Sequence, residues 1–326
     1  MTRLIQRRSR DVGRIDEVRW YGRALSQAEV QADRSTPVSG GTPPASTTTT
    51  TIAPTTTAAP TTTAAPTTTA APSGGSSLRF FGNGRDGIDR VRIPLTPNRS
   101  VDVGGDFTLE WWMKVAGTAL TTDSCGTGEA AWIYGNILLD RDVYGSGDNG
   151  DYGISLFGAG GGRIAFGVTR GSSGATLCST IGVADGAWHH VAVTRSSSSG
   201  TLAIYIDGQP RGTSSGPTGD VSYRDGRSGA ANDPYLVIGA EKHDAGSQFP
   251  SYPGWIDELR ISRTVRYTGA FQPSQAPLPA DGDTVALYHA DEGSGTVLDD
   301  AAGSNNGSLI VGGSPTGPVW SSDSPL

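Results

Sequence analysis

A block of Thr, Ala and Pro that cannot form a packed core separates a short N-terminal segment of this chain from a much longer C-terminal part. Four hexads follow one another, TTTIAP at Thr49–Pro54 and then TTTAAP three times up to Pro72. These hexads offer almost no side chain to bury, so nothing offsets the entropy lost on ordering them. Regularly spaced proline and β-branched Thr favour extended backbone. The sequence therefore predicts a linker over residues 35–77, plain or O-glycosylated, followed by a main domain at 78–326.

Downstream of the linker, apolar and polar residues alternate in short runs that are separated by turns rich in Gly, Asp and Ser. In one run, Phe107, Leu109, Trp111 and Met113 occupy every second position. A period of two is typical of a half-buried strand. Because such runs repeat between turn signals, the sequence predicts an all-β protein, an antiparallel β-sandwich with Trp111 in its core.

Composition excludes several classes of protein. The net charge of −7 argues against a nucleic-acid partner, which usually requires a basic face. No apolar run approaches the ~18–20 residues of a membrane span, so we expect no membrane insertion. With two Cys, the chain forms neither a disulfide-dense scaffold nor a four-Cys zinc site.

A short segment before the linker repeats one that follows it. Gly13–Arg19 and Gly254–Arg260 are identical at five of seven positions. Residues 1–34 are too few for a core of their own. We therefore interpret them as the last strand and short helix of a preceding domain in a longer multidomain protein. The unpaired strand at 13–20 also predicts self-association by strand addition to a neighbour.

Five segments together resemble a known family. They are Leu78–Gly84, Asp106–Lys114, Gly186–Thr194, Leu202–Gly208 and Gly254–Ser262. Their order, with FTLEWW, WHHVAV and YIDG among them, is similar to that of the laminin G-like, concanavalin A-like jelly-roll domains of bacterial multimodular surface proteins. The resemblance implies a jelly-roll sandwich.

The tail resembles a segment that often opens such a domain. It runs from Val285 through Asn305 to Trp320. Either the tail begins a further domain, or residues 284–326 complete this sandwich in permuted order. The second alternative predicts that the strand at 285–289 pairs within the sandwich.

The resemblance also implies a structural Ca²⁺ that ties the opening turn to the closing strand. Asn83 and Asp86 lie in the opening turn and Asp257 lies in the closing strand. Their oxygens match the six to eight that Ca²⁺ prefers. The alternative for Asp257 is a carboxylate that accepts hydrogen bonds from turn amides.

An acidic loop and two tryptophans are candidates for ligand binding. Sugars present apolar C–H faces together with hydroxyls, which suits aromatic rings beside carboxylates. The alternatives are a solvated loop, a metal site, or packing of the rings. The candidate residues are Trp132, Asp140, Asp142, Tyr144, Asp148, Asp151, Tyr152 and Trp255.

Catalytic patterns are missing from the sequence. A glycosidase places two carboxyl groups on either side of the scissile bond. Here Glu110 has no second carboxylate on its strand, and Asp257 and Glu258 are adjacent, so that a regular strand would direct them to opposite faces. We expect no enzymatic activity.

Cys125 and Cys178 lie in loops rich in Gly, Ser and Thr. Two cysteines in a secreted sandwich commonly pair, so we expect a disulfide, with two free thiols as the alternative.

These observations favour an extracellular or cell-surface binding and adhesion module for a glycan or a protein surface. One alternative is a structural subunit of a surface filament, phage fibre or cell-wall assembly. The other is a carbohydrate-active enzyme or its accessory domain.

Overall fold

The computed structural model describes residues 75–95, 101–142, 150–222 and 234–326. The predicted remnant at 1–34, its strand, and the linker up to residue 74 lie outside these ranges, as do Tyr144 and Asp148. Within the described ranges, no helix has the length and apolar character needed to cross a membrane.

Strands dominate the described residues, and three helical turns interrupt them. These turns are Gly117–Ala119 and Ala131–Tyr134, both 3₁₀, and Ala159–Gly162. The strands are β1 (Ser77–Arg79), β2 (Arg90–Pro94), β3 (Phe107–Ala116), β4 (Asn136–Arg141), β5 (Asp151–Phe157), β6 (Arg163–Arg170), β7 (Ser173–Gly182), β8 (Asp185–Arg195), β9 (Thr201–Ile206), β10 (Gln209–Ser215), β11 (Tyr235–Ile238), β12 (Trp255–Ser262), β13 (Thr284–Tyr288), β14 (Val297–Leu298), β15 (Gly307–Ile310) and β16 (Val319–Ser321).

The strands form two antiparallel sheets that pack face to face. Sheet A has the order β10-β9-β8-β3-β12-β1-β16, and β13 also pairs with β12. Sheet B has the order β14-β15-β2-β11-β4-β5-β6-β7. The predicted β-sandwich is therefore confirmed.

Strand β3 shows how the sequence determines the two faces of sheet A. Phe107, Leu109, Trp111 and Met113 point into the core between the sheets, where each is fully buried. The residues between them, such as Glu110, therefore lie on the outer face of sheet A. This alternation is the pattern from which the strand was predicted.

The tail belongs to the same sandwich. Strand β13 pairs with β12, with Tyr288 opposite Leu259. Strand β15 pairs with β2 in sheet B, and β16 pairs with β1 at the edge of sheet A. Residues 284–326 thus contribute strands to both sheets.

A covering segment, residues 117–135, lies on the outer face of sheet B. Cys125 in this segment forms a disulfide with Cys178 in β7. The ring of Trp132 packs directly on Gly153 and Gly167, so closely that an added Cβ at these glycines would lie 2.1 Å and 1.8 Å from ring carbons. Because the two glycines have no side chains, they provide a flat surface against which the Trp132 ring packs.

We predict that Gly167→Ala destabilises the protein by about 1–3 kcal/mol, the usual cost of overpacking a filled site. The new methyl group would overlap the Trp132 ring. Guanidinium unfolding followed by tryptophan fluorescence measures the change. Gly105→Ala is the matched control, because a Cβ at Gly105 meets nothing within 4 Å. Equal stability of the two variants would contradict this packing.

Candidate functional site

Residues 263–283, which we call the strap, connect β12 to β13 and lie across the outer face of sheet A. The Tyr267 hydroxyl donates to Glu110 Oε2 at 2.6 Å. The Phe271 N–H donates to the Gly208 carbonyl at 2.8 Å, and the Leu278 N–H donates to Glu258 Oε2 at 2.7 Å. The strap has no regular structure of its own, and side chains of the sheet together with the Gly208 carbonyl position it.

Glu110 is the central anchor of the strap. Its side chain is fully buried, and Oε1 accepts a hydrogen bond from Arg260 Nε at 2.8 Å and forms an ion pair with Arg260 Nη2 at 2.7 Å. Burial by itself raises the pKa of Glu110, but hydrogen bonding with His190 and the charge of Arg260 outweigh it and lower the pKa. The group therefore remains an ionised carboxylate at neutral pH, sealed from solvent.

Aromatic packing holds the first half of the strap in place. Tyr267 and Phe271 stack with ring centroids 3.6 Å apart at 7°. The Tyr205 hydroxyl, on β9, donates to the Tyr267 carbonyl at 3.0 Å. Ala192 and Ala203 form the floor beneath this cluster. Their small side chains leave room for the rings.

A groove of about 690 Å³ remains open where the strap meets β8, β9 and β10. Its lining combines six aliphatic hydroxyl groups with two tyrosines and one carboxylate. Burial raises the pKa of both tyrosines, so their hydroxyls stay neutral. The lining residues are Asp106, Thr194, Ser196, Ser199, Thr201, Ala203, Tyr205, Pro210, Gly212, Thr213, Val265, Tyr267 and Thr268.

A separate cluster brings together Asp142, Glu241 and His243. Each offers one possible metal-ligand atom, and these atoms lie within 4.8 Å of one another. Asp142 follows β4, whereas Glu241 and His243 follow β11, so only the fold brings them together. Behind them, burial and the charge of Asp142 raise the pKa of Asp140.

The residues predicted to bind calcium do not form one group. Asn83 and Asp86 line an open cleft with Gly313 and Ser314, and Asp257 is not part of it. Asn83 Nδ2 donates to the Pro315 carbonyl at 2.8 Å. The buried Asp257 accepts from the Glu258 N–H at 2.8 Å and from the Ser324 hydroxyl at 2.9 Å. Asp257 thus accepts hydrogen bonds from one backbone amide and one hydroxyl.

Two of the residues predicted to bind sugar are core residues. Trp132 packs on its two glycines and is only 2% exposed, and Tyr152 is fully buried beside Phe107. Because neither ring is open to a ligand, these two predictions are wrong. Asp140 is buried as well. The half-buried Trp255 ring is covered by the Arg79 guanidinium, 3.8 Å from its centroid.

The remaining candidates of the acidic loop are distributed differently. Asp142 belongs to the three-residue cluster, and Asp151 is partly exposed at the start of β5. Tyr144 and Asp148 lie outside the described residues.

Sequence reasoning missed the groove. Its residues come from β8, β9 and β10, from the turn after β8, from the position before β3 and from the strap, and single hydroxyl residues carry no recognisable spacing. The signal that was present is Tyr267 and Phe271 in a stretch without periodicity, directly after the closing strand.

Comparisons with known proteins agree with this architecture. The family model Laminin_G_3, described as the concanavalin A-like lectin/glucanases superfamily, matches residues 85–268, more than half of the chain. No protein of curated function matches the sequence.

Several solved structures are similar in fold. A proposed carbohydrate binding protein from Bacteroides ovatus is 17% identical with a TM-score of 0.49, over 76% of this chain and 60% of that one. The heptameric SAP-like pentraxin of Limulus polyphemus is 16% identical with a TM-score of 0.40, over 67% of this chain and 92% of that one. Domains LG4-5 of the mouse laminin α1 chain are 16% identical with a TM-score of 0.38, over 68% of this chain and 50% of that one.

We predict that the free energy of unfolding decreases as pH rises from 5 to 8. Burial raises the pKa of Asp257 from 3.8 to about 8, so the folded state retains a proton that the unfolded state releases. His289 acts in the same direction, because its hydrogen bond to Glu258 raises its pKa above 6.5 and the stabilisation is lost once it deprotonates.

Urea unfolding at pH 5, 6.5 and 8 measures this dependence. Asp257→Asn should flatten the curve, because the amide does not titrate. A wild-type stability that is constant or rises towards pH 8 would contradict the burial argument.

Proposed function

This chain belongs to the laminin G-like domains of the concanavalin A-like lectin/glucanase superfamily, and we propose that it is a non-catalytic module that binds carbohydrate. The groove on sheet A carries this proposal. Tyr205 and Tyr267 offer ring surface, and the hydroxyls of residues such as Thr201, Thr213 and Thr268 offer donors and acceptors at the same place. A sugar needs this combination, since it has C–H faces and hydroxyls on one ring.

The state of the carboxylates on sheet A supports a non-catalytic role. Glu110 is bound by Arg260 and Tyr267, as described above. Glu258 is 2% exposed, with Oε1 2.7 Å from His289 Nδ1 and Oε2 accepting from the Leu278 N–H. Glycoside hydrolysis requires two carboxyl groups that reach the substrate. Both of these glutamates are instead used to hold the fold.

The disulfide supports an extracellular or cell-surface location. Such bonds persist in oxidising compartments and are rare in the cytosol. The Cys125–Cys178 bond closes a sequence separation of 53 residues and fixes the segment that covers sheet B. Glycans on cells and in matrices are accessible from the same compartment.

A structural cation is part of the proposal, but the Asp257 set fits Ca²⁺ poorly. Both Asp257 oxygens already accept hydrogen bonds, and a pKa of about 8 leaves the group protonated at neutral pH. Asp142, Glu241 and His243 fit a divalent ion better, because two carboxylates and an imidazole place ligand atoms within 4.8 Å of one another, although Glu241 Oε2 also accepts from the His243 and Asp244 N–H groups. A cation there would tie the residue after β4 to those after β11.

We predict that a divalent cation raises the midpoint of thermal unfolding. An ion at 100 times its Kd stabilises the folded state by about 2.7 kcal/mol. Melting curves in EDTA, CaCl₂ and ZnCl₂ measure the effect, and Asp142→Asn should remove it, while Asp283→Asn at an exposed site should not. Identical curves for the wild type in EDTA and in both metals would reject the cation.

The binding test begins with a glycan array probed with the full 326-residue chain. The strongest ligand is then titrated into two variants by calorimetry. Thr213→Trp places a large ring in the groove, and we expect binding to weaken at least about tenfold, equivalent to about 1.4 kcal/mol.

Ser308→Trp puts the same ring on an exposed position of β15 in sheet B and serves as the matched control. Absence of any array ligand would reject carbohydrate binding. Equal affinity of the two variants would place the ligand elsewhere.

A further inference from the structure

We infer that Asp106 makes the groove selective by charge, so that it favours glycans with free amino groups and rejects glycans with carboxylate or sulfate groups. This inference rests on the proposed function and names the substrate class of the same site. Asp106 is the specificity-determining residue.

Asp106 has a fixed position and an available oxygen. It is exposed directly before β3, and its Oδ1 accepts hydrogen bonds from the Ser197 N–H at 2.7 Å and the Ser197 hydroxyl at 2.8 Å. These two bonds hold the carboxylate against the turn that follows β8. Among the described residues no donor reaches Oδ2, which leaves this oxygen for a ligand.

The carboxylate of Asp106 is ionised at neutral pH. The backbone hydrogen bond from Ser197 is the largest cause that lowers its pKa, and the Ser197 hydroxyl adds to it. A protein group with a permanent negative charge at the wall of a groove attracts a cationic ligand group and repels an anionic one.

No cationic side chain lines the groove among the described residues. Arg195 is fully buried, and its guanidinium donates to four carbonyls, those of Gly104, Gly105, Pro217 and Gly219. These carbonyls therefore occupy its Nη1 and Nη2 donors, and its charge acts on Asp106 by contributing to the lowered pKa of that carboxyl.

The nearby strap arginine is also occupied. Arg266 donates through Nη1 and Nη2 to both oxygens of Asp281, at 2.8 Å and 2.6 Å. Among the described residues the groove thus presents hydroxyls, two rings and one negative charge, and no cationic side chain that would pair with a carboxylate or a sulfate.

The whole chain reinforces this selectivity. Its net charge of −7 disfavours the approach of polyanions at low ionic strength. The negative field has no effect on the approach of a neutral glycan, and it favours the approach of a glycan that carries protonated amino groups.

The test uses calorimetry near pH 6 with three tetrasaccharides that share the backbone selected by the array. For a β-1,4-glucan these are cellotetraose, the glucosamine tetramer and the glucuronate tetramer. At low salt we expect the amino form to bind about fivefold more tightly than the neutral form, the upper end for one exposed charge pair. The acidic form should bind about fivefold more weakly for the same reason, and 0.5 M NaCl should reduce both differences.

Asp106→Asn removes the charge and keeps an oxygen that can accept from Ser197. In this variant the amino form should lose its advantage, while the affinity for the neutral form stays within about twofold. Asp283→Asn, which changes the net charge equally at an exposed site beside Arg263, should leave the ranking unchanged and separates the local effect from the general field.

The outcomes are distinguishable. If the neutral tetramer binds but charge has no effect, or Asp106→Asn preserves the ranking, this inference is overturned and the proposed function remains. Tighter binding of the acidic form also overturns it. If no tetramer binds in any charge state, the proposed function fails together with the inference.

Discussion

The buried carboxylate of Glu110 fixes the strap, and the strap determines which part of the outer face of sheet A stays open. Glu110 lies on the outer face of the central strand β3, where an ionised group without partners would be very costly. Arg260 of the neighbouring strand and the Tyr267 hydroxyl of the strap satisfy it. Because one of these partners is in the strap, satisfying the charge also fixes the strap across the sheet.

The groove follows from this arrangement. The strap covers the middle of the outer face, where Glu110 and Glu258 are buried. It leaves space beside β8, β9 and β10. Sheet B is covered in a similar way by residues 117–135, which the disulfide and Trp132 hold in place. Two segments without long regular structure therefore determine which surfaces a ligand reaches, while the sheets provide the frame.

Local patterns in the sequence were sufficient to predict the two sheets, but they were insufficient to predict the residues of the candidate site. The alternation at 107–113 identified β3 and placed Trp111 correctly, because a strand facing one core needs a period of two. Trp132 and Tyr152 were misread because their burial depends on partners distant in sequence, such as Gly167. The pairing of Asp142 with Glu241 and His243 crosses about a hundred residues, and no spacing rule anticipates it.

We propose that a sugar binds in the groove on sheet A. Amide chemical-shift mapping of the full chain with the strongest array ligand tests it most directly. We expect shifts to concentrate at residues 194–213 and 265–268, with few at the cleft of Asn83 and Gly313 or at Glu241–His243. Shifts confined to either of those other sites, with the groove unaffected, would contradict it.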